Sequence, residues 1–284
     1  MATASYGRRW LLLEVAGAWG PNAFRNSSVL SPDLGALIER RAAAEGMRLV
    51  AIRRPGRARL RDGPGGPRWR WARVDSTPGG ESIEWGEVGD PSGYLTAALE
   101  EPGTPSKDII IAVCAHGRHD ECCATRGRSV AALLAERDPE AVWECSHIGG
   151  DRFAATMLLF PHGINYGRAD TFDARQMVDE YRAGRVVLPG LRGRSAFRFL
   201  VQAAQDAARR AFGDLRVDAY EPVHAARTAH QRCEVLLADP PETVRVELAD
   251  TVTDVFYSNC AATVPLARPA FAVRAVERLA SPAR

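Results

Sequence analysis

The sequence contains very little lysine and no long apolar run. Lys107 is the only lysine, and no stretch approaches the roughly 20 apolar residues that cross a bilayer. The 37 basic and 35 acidic residues leave a formal net charge of +2, which gives no electrostatic case for nucleic acid or a membrane surface. We therefore expect neither kind of partner.

The first residues resemble an export signal only superficially. Arg8 and Arg9 precede an apolar stretch, as in a twin-arginine signal, but Glu14 interrupts it and no long apolar region follows. A buried strand over residues 9–15 is the better interpretation. We accordingly predict a cytoplasmic protein.

No two of the six cysteines have two residues between them. The missing C-x-x-C spacing argues against a dithiol oxidoreductase and weakens the case for zinc. A chain of 284 residues can bury a core without disulfide bonds. Cys114, Cys122 and Cys123 lie within ten residues, and clustered cysteines in a reducing compartment favour metal or redox chemistry. Cys233 and Cys260 are isolated in sequence and receive no role.

The composition is that of a globular α/β protein with about two domains, since 46% of residues are hydrophobic and 25% are charged. We predict an N-terminal α/β domain over 1–103, a thioredoxin-like domain over 104–186 and a C-terminal extension over 187–284. Outside the middle domain, the predicted strands are 9–15, 47–53, 68–74, 81–89, 215–220, 232–237, 243–248 and 252–257, and the predicted helices are 32–45 and 195–212.

The middle domain begins with a continuous apolar strand at 108–114, which is typical of a central, buried position. A polar loop over 115–128 follows, and then a helix at 129–137. The remaining predicted elements are strands at 141–144, 154–160 and 163–168 and a helix at 172–183. This order is that of a thioredoxin-like fold.

Side chains suited to an iron–sulfur cluster follow two of these strands. Cys114 ends the first strand, and Cys123 comes after eight intervening residues. The turn from His147 to Asp151, with two glycines, follows the next strand. Iron–sulfur clusters need thiolates presented from loops and accept histidine in place of cysteine. Loops at adjacent strand ends converge, so these side chains are expected to lie close together.

These residues carry a resemblance to a known family. The chain resembles the sucrase/ferredoxin-like family, the thioredoxin-like [2Fe-2S] ferredoxins of actinobacterial type. The matching segments are 113–123 (VCAHGRHDECC), 143–154 (WECSHIGGDRFA), 166–168 (YGR), 10–14 (WLLLE) and 17–20 (GAWG). The resemblance implies an electron-transfer protein with a [2Fe-2S] cofactor and an unidentified redox partner protein.

The family's ligand pattern is two cysteines with eight residues between them and two histidines with three between them. The resemblance therefore assigns Cys114, Cys123 and His147 as metal ligands. Asp151 stands where the second histidine would be. Aspartate is a hard oxygen ligand and suits a sulfide cluster less well than imidazole or thiolate does.

Three alternatives follow for the fourth ligand. Asp151 binds the cluster, or Cys122 or Cys145 supplies a third thiolate, or the chain has kept the fold and lost the cluster. The rival functions are a cluster-free binding or scaffold module and a thiol-based redox enzyme that uses Cys122 or Cys123.

Overall fold

The computed structural model describes residues 2–57, 61–63, 66–228 and 231–280. In these ranges the helices are α1 (Pro32–Ala44), α2 (Glu121–Ala135), α3 (Ala174–Arg182) and α4 (Phe199–Phe212). The strands are β1 (Arg9–Glu14), β2 (Met47–Arg53), β3 (Arg61–Gly63), β4 (Gly66–Asp75), β5 (Ser82–Val88), β6 (Thr104–Ser106), β7 (Ile110–Cys114), β8 (Val142–Cys145), β9 (Met157–Phe160), β10 (Ile164–Tyr166), β11 (Leu191–Arg194), β12 (Pro222–Arg227), β13 (Arg232–Asp239), β14 (Glu242–Val252) and β15 (Pro269–Leu279). None of the described helices has the length and apolarity to cross a membrane.

One large mixed sheet contains the first eleven strands, in the order β11-β10-β9-β7-β8-β2-β1-β4-β5-β6, with β3 paired to β4. The pairs β1–β2 and β7–β8 are parallel, and the other pairs in this sheet are antiparallel. The predicted first strand is confirmed as β1, whose Leu11, Leu12 and Leu13 are fully buried. The prediction of a mixed α/β protein is therefore confirmed.

The large sheet is continuous across the predicted boundary between the first two domains. Strands β2 and β8 pair antiparallel, with Ile52 opposite Cys145 and Arg53 opposite Glu144. Arg53 and Glu144 form an ion pair of 2.8 Å in which both side chains are only 3% exposed. The division into three domains stays a prediction.

Helix α2 begins eight residues before the predicted helix, so the prediction of a polar loop over 115–128 is wrong in its second half. The Asp120 side chain caps α2 by accepting a hydrogen bond from Cys122 N at 2.8 Å. Gly127 is needed inside the helix because a Cβ there would collide with the Cys114 carbonyl oxygen. The glycine lets α2 pack directly on the end of β7.

The C-terminal region forms a second, four-stranded antiparallel sheet in the order β12-β13-β14-β15. Helix α4 packs on its apolar face, which includes Val235, Leu237, Val244 and Val246. The predicted strand at 215–220 is wrong, because Arg216 forms only an isolated bridge with Arg185 and residues 217–220 form a turn before β12. The predicted strand at 252–257 is also wrong: β14 ends at Val252 and a long connection, here called the 253–268 loop, leads to β15.

Candidate metal centre

The candidate site lies where β7 and β8 end side by side. These strands are parallel and pair Cys114 with Cys145, so the residues that follow both strands emerge at one edge of the sheet. The first turn of α2 supplies Cys123, and the turn after β8 supplies His147 and Asp151. Three separate segments of the chain thus reach the same point.

The four predicted ligands lie together at this point. The thiols of Cys114 and Cys123 form a hydrogen bond, and the His147 ring is within hydrogen-bonding reach of the Cys114 sulfur. Cys123 Sγ lies 3.6 Å from Asp151 Oδ1, and His147 Nδ1 lies 2.8 Å from the same oxygen. Their role as metal ligands stays a prediction, but the structure brings all four into one contact network.

The site is closed on the sulfur side and open on the imidazole side. Cys114 and Cys123 are each 1% exposed, whereas the His147 side chain is 30% exposed and that of Asp151 is 11% exposed. A group held here would be shielded by protein at its thiolates and would reach solvent through the histidine.

The two thiols shift each other's pKa. The hydrogen bond from Cys123 holds the pKa of Cys114 well below its usual range against the opposing effect of burial, with help from His147 and the His116 backbone. The same hydrogen bond, together with burial, raises the pKa of Cys123. The two thiols therefore differ in acidity, and Cys114 is the more acidic of the pair.

His147 and Asp151 also shift each other's pKa. Burial lowers the pKa of His147, but Asp151 and Cys114 outweigh burial and raise it to about 9. Burial raises the pKa of Asp151, and the contact with His147 outweighs this and lowers it. The His147 ring is therefore protonated at neutral pH, and metal binding through it would displace that proton.

His119, which is not part of the family's ligand pattern, also lies at this site. Its ring stacks on that of His147 with centroids 3.9 Å apart, and its Nε2 lies 3.6 Å from Asp151 Oδ2. Ligand atoms of His119, His147 and Asp151 all lie within 4.8 Å of one another. His119 is therefore a second nitrogen donor near the position of the missing histidine.

His116 supports the site from behind. Its buried ring contacts Gly20 O through Nε2 at 2.7 Å, and its Nδ1 accepts a hydrogen bond from His147 N at 3.4 Å. A carbonyl can only accept, so the proton of the neutral ring resides on Nε2. His116 thereby fixes the backbone from which the His147 ring extends.

A buried arginine holds the turn between His147 and Asp151. Arg192 donates to Gly149 O at 2.8 Å and to Thr3 O at 2.6 Å. Gly150 has φ +92°, and a Cβ there would collide with the Arg192 guanidinium. The glycine at position 150 thus makes room for the arginine side chain.

Cys260, which is isolated in sequence, has a structural role in the fold. Cys260 forms a disulfide bond with Cys122, 138 residues away in sequence. Asp120 Oδ2 also accepts a hydrogen bond from Cys260 N at 2.9 Å. The disulfide bond removes Cys122 as a free third thiolate, and it anchors the 253–268 loop beside the site.

The remaining cysteines pack in cores. Cys145 is fully buried among apolar side chains at the sheet centre, and burial raises its pKa well above the usual value. Cys233 lies in the core under α4. Both positions agree with structural roles.

The site and its scaffold define a class of protein: an α/β protein with a thiol, imidazole and carboxylate centre at the ends of two parallel strands. A family model described as Suc_Fer-like, sucrase/ferredoxin-like, matches residues 34–193. The match covers more than half of the chain, so the chain belongs to the sucrase/ferredoxin-like family, as the sequence motifs predicted. Neither the curated proteins nor the solved structures contain a match.

Proposed function

We propose that this protein is a single-electron carrier in which Cys114, Cys123, His147 and Asp151 hold a [2Fe-2S] cluster. The observation that carries this proposal is the convergence of two thiols, an imidazole and a carboxylate from three segments onto one point. Family membership adds the cysteine spacing that the motif requires.

The donor set fits such a cluster in number and in chemistry. Two thiolates and a histidine are established kinds of iron–sulfur ligand, and the buried sulfurs are protected from solvent. The carboxylate is the unusual member. It gives the site one more negative charge than a set with two histidines has, and it favours the ferric state.

The surrounding residues have distinct tasks. The cluster would supply the one-electron chemistry, and Cys114 and Cys123 would hold it at its buried end. The half-buried ring of His147 lies toward solvent and would connect the cluster with an external partner. His116 and Arg192 orient the histidine and the turn through hydrogen bonds, as supporting residues do in metal sites.

The nearby group His119, His147 and Asp151 favours a second candidate, a mononuclear divalent metal site. Two histidines and a carboxylate within 4.8 Å are a common set for such ions. The two candidates differ in their content of inorganic sulfide, because a site for a single metal ion contains none.

An assay of iron and acid-labile sulfide on protein purified without oxygen separates these functions. The electron carrier contains equal amounts of iron and sulfide, absorbs visible light and shows an EPR signal after reduction. A mononuclear site contains metal without sulfide. A cluster-free module is colourless and metal-free, and a thiol enzyme is colourless with one thiol that is alkylated much faster than the rest.

Cysteine variants test the ligand assignment itself. We expect Cys114→Ser and Cys123→Ser to lose the iron and the colour. Cys233→Ser is the matched control, because Cys233 is equally buried but lies in the core of the other sheet. Unchanged iron content in both ligand variants would contradict the assignment.

A further inference from the structure

A second cavity lies behind the candidate metal centre and belongs to neither proposed metal site. It has a volume of about 330 Å³, and its lining includes Trp19, Arg53, His116, Arg118 and Arg128. This volume is at the small end of the range for pockets that bind small molecules. Three arginines and no carboxylate are among the described residues that line it.

Arg53 forms a fixed wall of the cavity. Its guanidinium stacks on the Trp19 ring at 3.9 Å and forms the buried ion pair with Glu144. Its orientation is therefore set before any ligand enters. Glu144 does not line the cavity, so it offsets the charge of Arg53 from beneath and leaves the open side without an acidic group.

Arg118 and Arg128 supply the charge that is not offset. Both side chains are exposed, and neither forms an ion pair with a described residue. Other exposed arginines nearby in sequence are paired, such as Arg137 with Asp179. Two unpaired guanidinium groups facing one cavity create a positive potential that favours an anion.

The packing of α2 explains why these two arginines share the cavity. Gly117 lies so close to Ala124 of α2 that a Cβ on the glycine would meet the alanine side chain. The turn that carries Arg118 therefore rests on the helix that carries Arg128. Gly127 holds the same helix against the end of β7.

We propose that this cavity binds a small molecule bearing a phosphate group, with Arg118 and Arg128 as its direct ligands and Arg53 as the wall. A guanidinium group donates two parallel hydrogen bonds to a phosphate, and a phosphate monoester carries nearly two negative charges at neutral pH. Two converging cations match that dianion better than they match a single carboxylate. The site does not depend on metal binding.

Calorimetric titration at constant ionic strength tests this site, with inorganic phosphate and glycerol 3-phosphate as the probes. We expect saturable binding at one site per chain. Arg118→Ala with Arg128→Ala should weaken it by about tenfold or more, which is the effect of losing charge-assisted hydrogen bonds. Binding of both probes identifies the phosphate group as the ligand chemistry, and binding of glycerol 3-phosphate alone identifies an organic phosphate.

The control is the double variant Arg40→Ala with Arg232→Ala, which removes the same charge from exposed positions outside the cavity. It should bind both probes as the natural protein does. If neither probe shows saturable binding, the proposal is overturned. Equal weakening of binding in the two double variants would overturn it as well. Thermal unfolding of each variant verifies folding, and iron content, expected to be unchanged, shows independence from the metal centre.

Discussion

Cys122 and Cys123 are adjacent in sequence but belong to two different regions of the molecule. Cys123 faces inward, is 1% exposed and meets Cys114 in the candidate metal centre. Cys122 is partly exposed and bonds to Cys260 on the 253–268 loop. Successive residues of an α-helix point about 100° apart, so neighbouring cysteines on α2 cannot serve one site. The pair instead joins a buried site to a surface loop.

The two regions also differ in what holds them in place. The inner cysteines lie on β7 and α2, which are packed in apolar cores. The 253–268 loop exposes large apolar side chains, including Val255 at 71% and Val264 at 72%. Besides the disulfide bond, two contacts hold the loop at the site. Cys260 N donates a hydrogen bond to the Asp120 carboxylate, and the Arg152 guanidinium lies 3.4 Å from the centre of the Phe256 ring. Regions with so little buried surface open locally at low cost.

The largest expected effect is the loss of bound iron, and it distinguishes Cys123 from its neighbour Cys122. We expect Cys123→Ser to lose nearly all bound iron and Cys122→Ser to retain it, since only Cys123 lies in the contact network of the site. Iron and sulfide per chain are the measurement. Equal loss in both variants would show that the disulfide-bonded cysteine also binds the cluster.

Removal of the disulfide bond should affect the outer region first. We expect Cys260→Ser to lower the free energy of unfolding by about 2–4 kcal/mol, because the cross-link restricts the unfolded chain. Amide hydrogen exchange in the 253–268 loop should become faster while exchange in β7 and β8 stays slow. Faster exchange in those strands would show that the loop stabilises the site itself.

A smaller effect is expected on the reduction potential, which depends on the fourth ligand. Asp151→His replaces a carboxylate with a neutral ring and removes one negative charge from the donor set. We expect the reduction potential to rise by on the order of 100 mV, in line with the difference between histidine- and thiolate-ligated clusters. Redox titration followed by visible absorption measures it. An unchanged potential would indicate that Asp151 does not bind the cluster.

The smallest effect concerns protonation in the metal-free protein. The pKa of His147, raised from 6.5 to about 9, should be visible in an NMR titration of the ring, and Asp151→Asn should lower it because the neighbouring charge is lost. The contribution of this proton to stability is complete below pH 6.5 and is lost as the pH rises through about 9. A pKa that is the same in both proteins would contradict the observed contact.

The inner region was largely predictable from sequence because its signals are local. The continuous apolar run at 108–114 predicted β7, and the spacing from Cys114 to Cys123 matched a family pattern. The start of α2 was not predicted because its first two turns are polar, and the contact of Gly127 with the end of β7 is visible only in the fold.

The outer region was not predictable for the opposite reason. Cys260 finds its partner 138 residues away, and a lone cysteine carries no mark of such a pairing. His119 lies outside the family's ligand pattern, and only the fold shows that its ring stacks on that of His147. The disulfide bond also bears on location: such bonds are rare in the reducing cytosol, so the predicted cytoplasmic location stays a prediction.

The pairing of β2 with β8 determines how the protein can be divided. Excision of residues 104–186 would strip β2 from β8 and leave a strand edge next to Cys145 open to pairing between molecules. It would also leave Glu144 without Arg53, and a buried carboxylate that loses its cation destabilises a fold by about 3–5 kcal/mol. The excised fragment should therefore aggregate, and the candidate metal centre should be produced with the N-terminal half of the chain attached.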